Sequence, residues 1–186
     1  FDGSFTSVLS LVARIFDPLG LASPFTFTAR LTVRECHRHK LKWKEQIKGL
    51  PEATLATFRK WLTDLEKLAT FTVPRRFANN ETTTYHFYSD ASLEGICAVA
   101  YARTQEGGAY DSNIVAAKCT PAAIKNSDKL TVPKLELMSI MQATRIYQWI
   151  SGVLGVPKDK CYFYNDNVAA LYWLRGDPDK QVTFVS

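Results

Sequence analysis

Apolar residues follow two different periods along this chain, and the period changes near Thr84. In the first part they recur every three or four positions, as in the segment from Ser7 to Phe16, which is typical of a helix with one buried face. Further segments of this kind begin at Pro24 and Pro51, because proline is well tolerated in the first turn of a helix. The pattern therefore predicts a helical segment over residues 1–80.

After Thr84 the pattern changes to strands, followed by a long and a short helix. The predicted strands cover residues 85–90, 95–103, 112–119 and 161–165. Three consecutive strands with short connections predict an antiparallel meander. The last strand follows a long helix over residues 133–152 and precedes a short one over residues 168–175. Residues 81–186 are therefore predicted to form a mixed sheet with helices packed on it, an α+β or α/β domain.

The long predicted helix is apolar on nearly every side. Its only charged residues are Lys134, Glu136 and Arg145. A helix of this composition usually lies deep in a fold, with neighbours on several faces. We therefore expect the helix to be buried, and Glu136 with it.

Three carboxylates stand where the pattern places the core or its edge. Asp90 and Asp166 lie at the ends of the first and last strands, and Glu136 lies one turn into the long helix. If those strands are parallel neighbours, their ends meet at one edge of the sheet. A buried charge without a partner is costly, whereas carboxylates that share divalent metal are tolerated. The pattern indicates metal-assisted chemistry on phosphates, although Asp166 alone could also cap the following helix.

Charge is distributed unevenly between the two parts of the chain. The net charge is +5 over 186 residues, and the basic excess falls within residues 1–80. Arg30, Arg34 and Arg38 are spaced four apart, so they share one helical face, and Lys42 and Trp43 follow. This basic stripe has two readings, a solvated helix face or a surface that contacts nucleic-acid phosphates. Trp43 is the tryptophan best placed for base stacking.

Cysteine usage and hydropathy indicate the cellular compartment in which the protein is expected. The four cysteines form no CxxC pair, and Cys36 with His37 and His39 lacks the second ligand pair of a structural zinc site. Reduced thiols are typical of intracellular proteins, so we expect the cytoplasm or nucleus. No run approaches the roughly 20 apolar residues that span a bilayer, so no membrane association is expected.

Several motifs together resemble the reverse transcriptases of Bel/Pao-type retrotransposons. The acidic motifs are Tyr88-Ser89-Asp90-Ala91-Ser92, Leu135-Glu136-Leu137 and Tyr164-Asn165-Asp166-Asn167. They are similar in order and flanking residues to the first three motifs of the ribonuclease H fold. Three other stretches, 15–24, 73–75 and 131–137, resemble the family's connection segment, domain junction and long-helix entry. The resemblance covers essentially the whole chain and implies a helical connection or tether (1–80) before a ribonuclease H-like domain (81–186).

This resemblance implies hydrolysis of the RNA strand of RNA–DNA hybrids, alongside the rest of a reverse transcriptase polyprotein. Two Mg²⁺ or Mn²⁺ ions would be held by Asp90, bridging both, and by Glu136 and Asp166. The hybrid or another nucleic acid would contact Arg30, Arg34, Arg38, Lys42, Trp43 and Lys134.

The sequence also departs from the family's pattern. Ribonuclease H domains have a fourth carboxylate, a fifth strand and a further helix after the third motif, and we expect these to lie outside this sequence. No Tyr-x-Asp-Asp polymerase motif is present, and the region is also classed as a Pao retrotransposon peptidase although the nearest string to a protease motif is Asp111-Ser112-Asn113. The alternative to a nuclease is therefore an inactive or domesticated binding or scaffold module with the same fold.

Overall fold

The computed structural model describes residues 1–74, 76–124 and 130–177. The chain divides into two compact units, Phe1–Val73 and Pro74–Ser186, called here the N-terminal and C-terminal units. The division falls between Val73 and Pro74, before the position near Thr84 where the hydrophobic period changes from helical to strand-like. Each unit has its own hydrophobic core.

The N-terminal unit is helical. Its α-helices are α1 (Phe5–Ala13), α2 (Ser23–Arg38) and α3 (Glu52–Asp64), and short 3₁₀ helices cover Ile47–Gly49 and Leu65–Thr70. Helix α1 begins earlier than the apolar period predicts, because the Ser4 hydroxyl accepts a hydrogen bond from the Ser7 N–H and caps it. Helix α2 carries Pro24 in its first turn, as predicted.

Aromatic residues build much of the core of the N-terminal unit. Phe58 and Trp61 on α3 stack with ring centroids 5.6 Å apart, and Phe25 on α2 lies 5.2 Å from Trp61. The indole N–H of Trp61 also donates a hydrogen bond of 3.0 Å to the main-chain oxygen of Phe25. This bond satisfies the polar atom of a buried indole and fixes α3 against α2.

In the described part of the C-terminal unit, four strands form one mixed sheet. They are β1 (Thr84–Ala91), β2 (Gly95–Glu106), β3 (Ala109–Pro121) and β4 (Cys161–Tyr164), in the spatial order β3-β2-β1-β4. The first three form the predicted antiparallel meander, and β4 pairs in parallel with β1. The predicted mixed sheet with helices is thereby confirmed. Strands β1 and β4 are parallel neighbours, which is the arrangement that brings Asp90 and Asp166 to the same edge of the sheet.

The long helix α4 (Val132–Leu154) packs on one face of this sheet, against β1 and β2, and α5 (Val168–Arg175) follows β4. Alternate residues of β1, including Tyr85 and Phe87, point into the core beneath α4. Gly155 ends α4 with a left-handed φ of 66°, a conformation that favours glycine.

The expectation that α4 is buried on nearly every side is wrong for the described structure. Leu135, Glu136 and Ile150 lie on its buried face, while Trp149 and Val153 are exposed. The apolar composition therefore led us to expect too much burial for this helix. Composition does not show which side of a helix faces the protein and which faces solvent. The prediction holds for Glu136, which is buried.

No helix in the described residues is long and apolar enough to cross a membrane.

Candidate metal centre

Asp90 lies near the end of β1, on the strand beside β4. Its side chain is exposed, and its Oδ1 accepts a 2.8 Å hydrogen bond from the N–H of Ala91. Across the antiparallel pair it faces Cys97 of β2. The strand thus holds one carboxylate at the edge of the sheet, open to solvent.

Glu136 reaches the same edge from helix α4. Its exposed fraction is only 3%, although it is a charged residue. The Nδ2 of Asn165 donates a 2.9 Å hydrogen bond to its Oε2, and the Ser139 hydroxyl lies 3.4 Å from that oxygen. Uncharged donors therefore hold this buried carboxylate.

Asp166 is supplied by the turn between β4 and α5. It is exposed, and it lies between Asn165 and Asn167. The helix-capping role considered for Asp166 belongs to Asn167, because Oδ1 of Asn167 accepts a 2.9 Å hydrogen bond from the N–H of Ala170. The Asp166 carboxylate is not needed for the cap.

The structure brings these three carboxylates together. One ligand oxygen from each of Asp90, Glu136 and Asp166 lies within 4.8 Å of the others. Three ionised carboxylates at this spacing repel one another, and a divalent cation relieves the repulsion. An all-oxygen donor set suits Mg²⁺ or Mn²⁺ and not the softer metals that thiolates select. The residues present therefore fit the divalent ions expected from the sequence.

The Cys97 thiol lies beside Asp90, and its surroundings disfavour the thiolate. A hydrogen bond with Cys119, burial and the Asp90 charge raise the pKa of Cys97 far above its usual range. Cys119 is its register partner on β3. Cys97 is not among the three residues whose ligand atoms converge, which all offer oxygen.

The residues considered for nucleic-acid contact are divided between the two units. Arg30, Arg34, Arg38, Lys42 and Trp43 all lie in the N-terminal unit, whereas Lys134 lies on α4, two residues before Glu136.

The five candidate nucleic-acid contacts in the N-terminal unit differ in exposure and in their neighbours. Arg30 and Lys42 are exposed and Arg34 is half-buried, while the exposed Arg38 forms a 3.0 Å ion pair with Glu35. The ring of Trp43 is 60% exposed and stacks on Phe5 at 5.5 Å. One face of that indole is thus already occupied.

Sequence reasoning missed the polar residues around the triad, above all Asn165 and Ser139. In the sequence, Asn165 stands out only as the neighbour of Asp166, and Ser139 lies within an otherwise apolar helix. The sequence offers one indication of such a residue, which is an amide directly before a carboxylate at the end of a strand. Its partner on α4 is 29 positions away along the sequence, so the contact appears only in the folded chain.

His86 lies on the sheet face opposite α4 and offers a pH measurement. Its Nε2 is 2.9 Å from the Thr84 hydroxyl and its Nδ1 is 3.0 Å from the Tyr164 hydroxyl. Burial and then the nearby Arg103 charge lower the pKa of His86 below its ordinary value of 6.5. Because the folded state favours the neutral ring, His86 contributes stability that is complete above about pH 6.5 and falls as the pH drops below it.

We expect an NMR titration of the imidazole to give a pKa below 6.5 for His86, and Arg103→Gln to move that pKa part of the way back up. The variant removes the second cause and leaves burial in place. A wild-type pKa above 6.5 would mean that the ring is stabilised as a cation.

Comparison with known proteins identifies the family to which this chain belongs. Residues 6–167 match the family described as the Pao retrotransposon-like RNaseH-like domain. The match covers most of the chain, so this chain belongs to that family, and the resemblance read from the motifs is confirmed.

Two further comparisons concern solved structures and curated proteins. Among solved structures, the chain is similar to the native protease–reverse transcriptase of prototype foamy virus, with 13% identity and a TM-score of 0.42. The similarity covers 97% of this chain and 21% of the viral chain, so this chain spans about a fifth of that protein's length. No curated protein matches the sequence.

Proposed function

We propose that this chain is the ribonuclease H-type nuclease segment of a retrotransposon polyprotein, which hydrolyses the RNA strand of RNA–DNA hybrids with two divalent ions. The observation that carries the proposal is the convergence of Asp90, Glu136 and Asp166 within 4.8 Å. Membership of a ribonuclease H-like family supports it, because the matched residues 6–167 include all three carboxylates. The other segments of the polyprotein are the expected covalent partners.

The roles proposed for the three carboxylates come from the family resemblance, and their convergence is compatible with them. Asp90 would be the ligand shared by both ions, while Glu136 and Asp166 would each help hold one. When bound, Mg²⁺ or Mn²⁺ supplies an activated water and stabilises the leaving oxygen. The carboxylates would hold the ions in position and compensate their positive charge.

The burial of the three residues suits a polymeric substrate. Asp90 and Asp166 are exposed, whereas Glu136 is buried behind them. A phosphate of a long strand can therefore approach from the solvent side without entering a closed pocket. The rigid helix α4 supports the centre from the protein side, which favours a precise arrangement of ligands.

The direct test is an RNA–DNA hybrid with end-labelled RNA. We expect RNA fragments with Mg²⁺ or Mn²⁺ and none with a chelator, while duplex DNA of the same sequence stays intact. Intact RNA with both ions would exclude a nuclease in this chain. Salt-sensitive binding without cleavage would instead support the alternative, an inactive or domesticated binding or scaffold module.

The basic stripe is proposed as the nucleic-acid contact of the N-terminal unit. Arg30 and Lys42 are exposed residues, and Lys134, two positions before Glu136, is a further candidate. Phosphate contacts of this kind supply affinity without sequence preference and release counterions. The stripe would strengthen binding to any hybrid, whatever its sequence.

Arg30→Glu should weaken hybrid binding similarly for all sequences and reduce the slope of log affinity against log salt by about 1. Lys158→Glu is the matched control, because it makes the same charge change at an exposed position on the C-terminal unit. Fluorescence anisotropy at several salt concentrations measures both variants. Equal salt slopes for the Arg30 variant and wild type would identify the stripe as solvated surface only.

We also propose that the chain acts inside the cell, in the cytoplasm or nucleus. The four cysteines are thiols and not disulfides, although Cys97 and Cys119 are neighbours in the sheet and hydrogen-bonded to each other. Reduced thiols are typical of a reducing compartment.

A further inference from the structure

The side chain of Asn165 touches the segments that carry all three acidic residues. Its Nδ2 lies 2.9 Å from Oε2 of Glu136, 3.0 Å from the main-chain oxygen of Ser89 and 3.2 Å from the Ser89 hydroxyl. Ser89 immediately precedes Asp90, and Asn165 immediately precedes Asp166. One amide group therefore connects the end of β1, helix α4 and the turn after β4.

The hydrogen-bond partners fix the orientation of this amide. Oδ1 of Asn165 accepts a 3.0 Å hydrogen bond from the main-chain N–H of Asn167, which can only donate. On the other side, the Ser89 main-chain oxygen can only accept, and so can an ionised Glu136. The oxygen of the amide must therefore face α5 and its NH₂ group must face Glu136, since the opposite orientation would lose these bonds.

The geometry points to Asn165 as the positioning residue of the metal centre, which holds the Glu136 carboxylate beside Asp90 and Asp166. This inference rests on the proposed function in assigning the triad to divalent ions. Repulsion from the other two carboxylates favours movement of Glu136 away from them, and the hydrogen bond from Asn165 opposes that movement. Asn165 acts through Glu136 and is not itself a metal ligand.

Support from a residue behind a ligand typically changes metal affinity or activity by about 10–100-fold. Asn165→Ala removes the donor, so we expect Mn²⁺ affinity, measured by calorimetry, to fall by about this factor. Asn113→Ala is the matched control, because it removes an amide that donates a 2.7 Å hydrogen bond to the Asp111 carboxylate on β3, outside the triad. It should leave Mn²⁺ affinity unchanged.

A double-mutant cycle separates positioning from general loosening of the fold. In a Glu136→Gln background, adding Asn165→Ala should cause little further loss of Mn²⁺ affinity, since the carboxylate it positions is gone. Equal losses in both backgrounds would overturn the inference, as would an Asn165→Ala protein that binds Mn²⁺ as tightly as wild type. If Asn165→Ala does not fold, Asn165→Ser, which has a shorter polar side chain, is measured in its place with the same expected direction.

Cleavage of hybrid by the same proteins distinguishes this inference from the proposed function. Wild type that binds Mn²⁺ without cutting RNA would contradict the nuclease proposal and leave the role of Asn165 standing. Wild type that cuts RNA, with Asn165→Ala equal to it in both Mn²⁺ affinity and cleavage, would contradict only the role of Asn165. A wild-type protein that binds no Mn²⁺ would overturn both.

Discussion

Asp90→Asn should reduce Mg²⁺-dependent cleavage of an RNA–DNA hybrid by at least about a hundredfold. The substitution keeps the shape of the side chain but replaces an anionic ligand by a neutral amide at the position assigned to both ions. Loss of a residue behind a metal ligand already costs about 10–100-fold, so loss of a ligand should reach at least the upper end. Rates of RNA cleavage for the two proteins, measured at saturating Mg²⁺, test this expectation.

Asp111→Asn is the matched control for the loss of a carboxylate. Asp111 is an exposed aspartate on β3 of the same sheet, and its Oδ2 accepts a 2.7 Å hydrogen bond from Asn113. It makes the same change of charge outside the triad, so cleavage should stay near the wild-type rate. Comparable cleavage by the Asp90 variant and wild type would show that the activity does not depend on this centre.

Phe87→Ala should lower the free energy of unfolding of the C-terminal unit by about 3–5 kcal/mol. Phe87 is 1% exposed on the core face of β1, three residues before Asp90. Its ring stacks on Phe163 at 4.7 Å and meets Tyr147 of α4 edge-on at 5.8 Å. Its removal leaves a cavity between β1 and the helix that carries Glu136, and a urea titration followed by circular dichroism measures the loss.

Phe163→Ala removes the other ring of the same stacked pair. Because Phe163 is 46% exposed on β4, we expect a smaller loss of about 1 kcal/mol, close to the contribution of an aromatic pair. Equal losses for the two variants would mean that the core does not lie on the α4 side of β1.

The sequence predicted the strands, the meander and the helices of the C-terminal unit, because each of these is indicated by a pattern within a short stretch of the sequence. Strand and helix periods located β1 to β4, α4 and α5, and the short connections predicted the meander. The order of the acidic motifs predicted that Asp90, Glu136 and Asp166 belong together. Parallel pairing of β1 with β4 was a condition of that prediction and not a result of it, because a helix between β3 and β4 sets the direction of β4 but does not place it beside β1.

Other features depend on contacts between distant parts of the chain. The NH₂ group of Asn165 meets Glu136 only because β4 pairs with β1 and the turn after β4 reaches the start of α4. The exposed side of α4 at Trp149 could not be predicted from an even apolar composition, because composition does not say which neighbours are present. Asn167 rather than Asp166 caps α5, and the sequence offered both as suitable capping residues.

The most direct test of the account is the position of Mn²⁺ in crystals of this protein, located by anomalous scattering. We expect Mn²⁺ in contact with the carboxylates of Asp90, Glu136 and Asp166 at about 2.1 Å. With hybrid bound, we expect two ions roughly 3.5–4 Å apart, both touching Asp90. Crystals in which Mn²⁺ occupies other sites while these three carboxylates bind none would contradict the assignment of a two-metal nuclease centre.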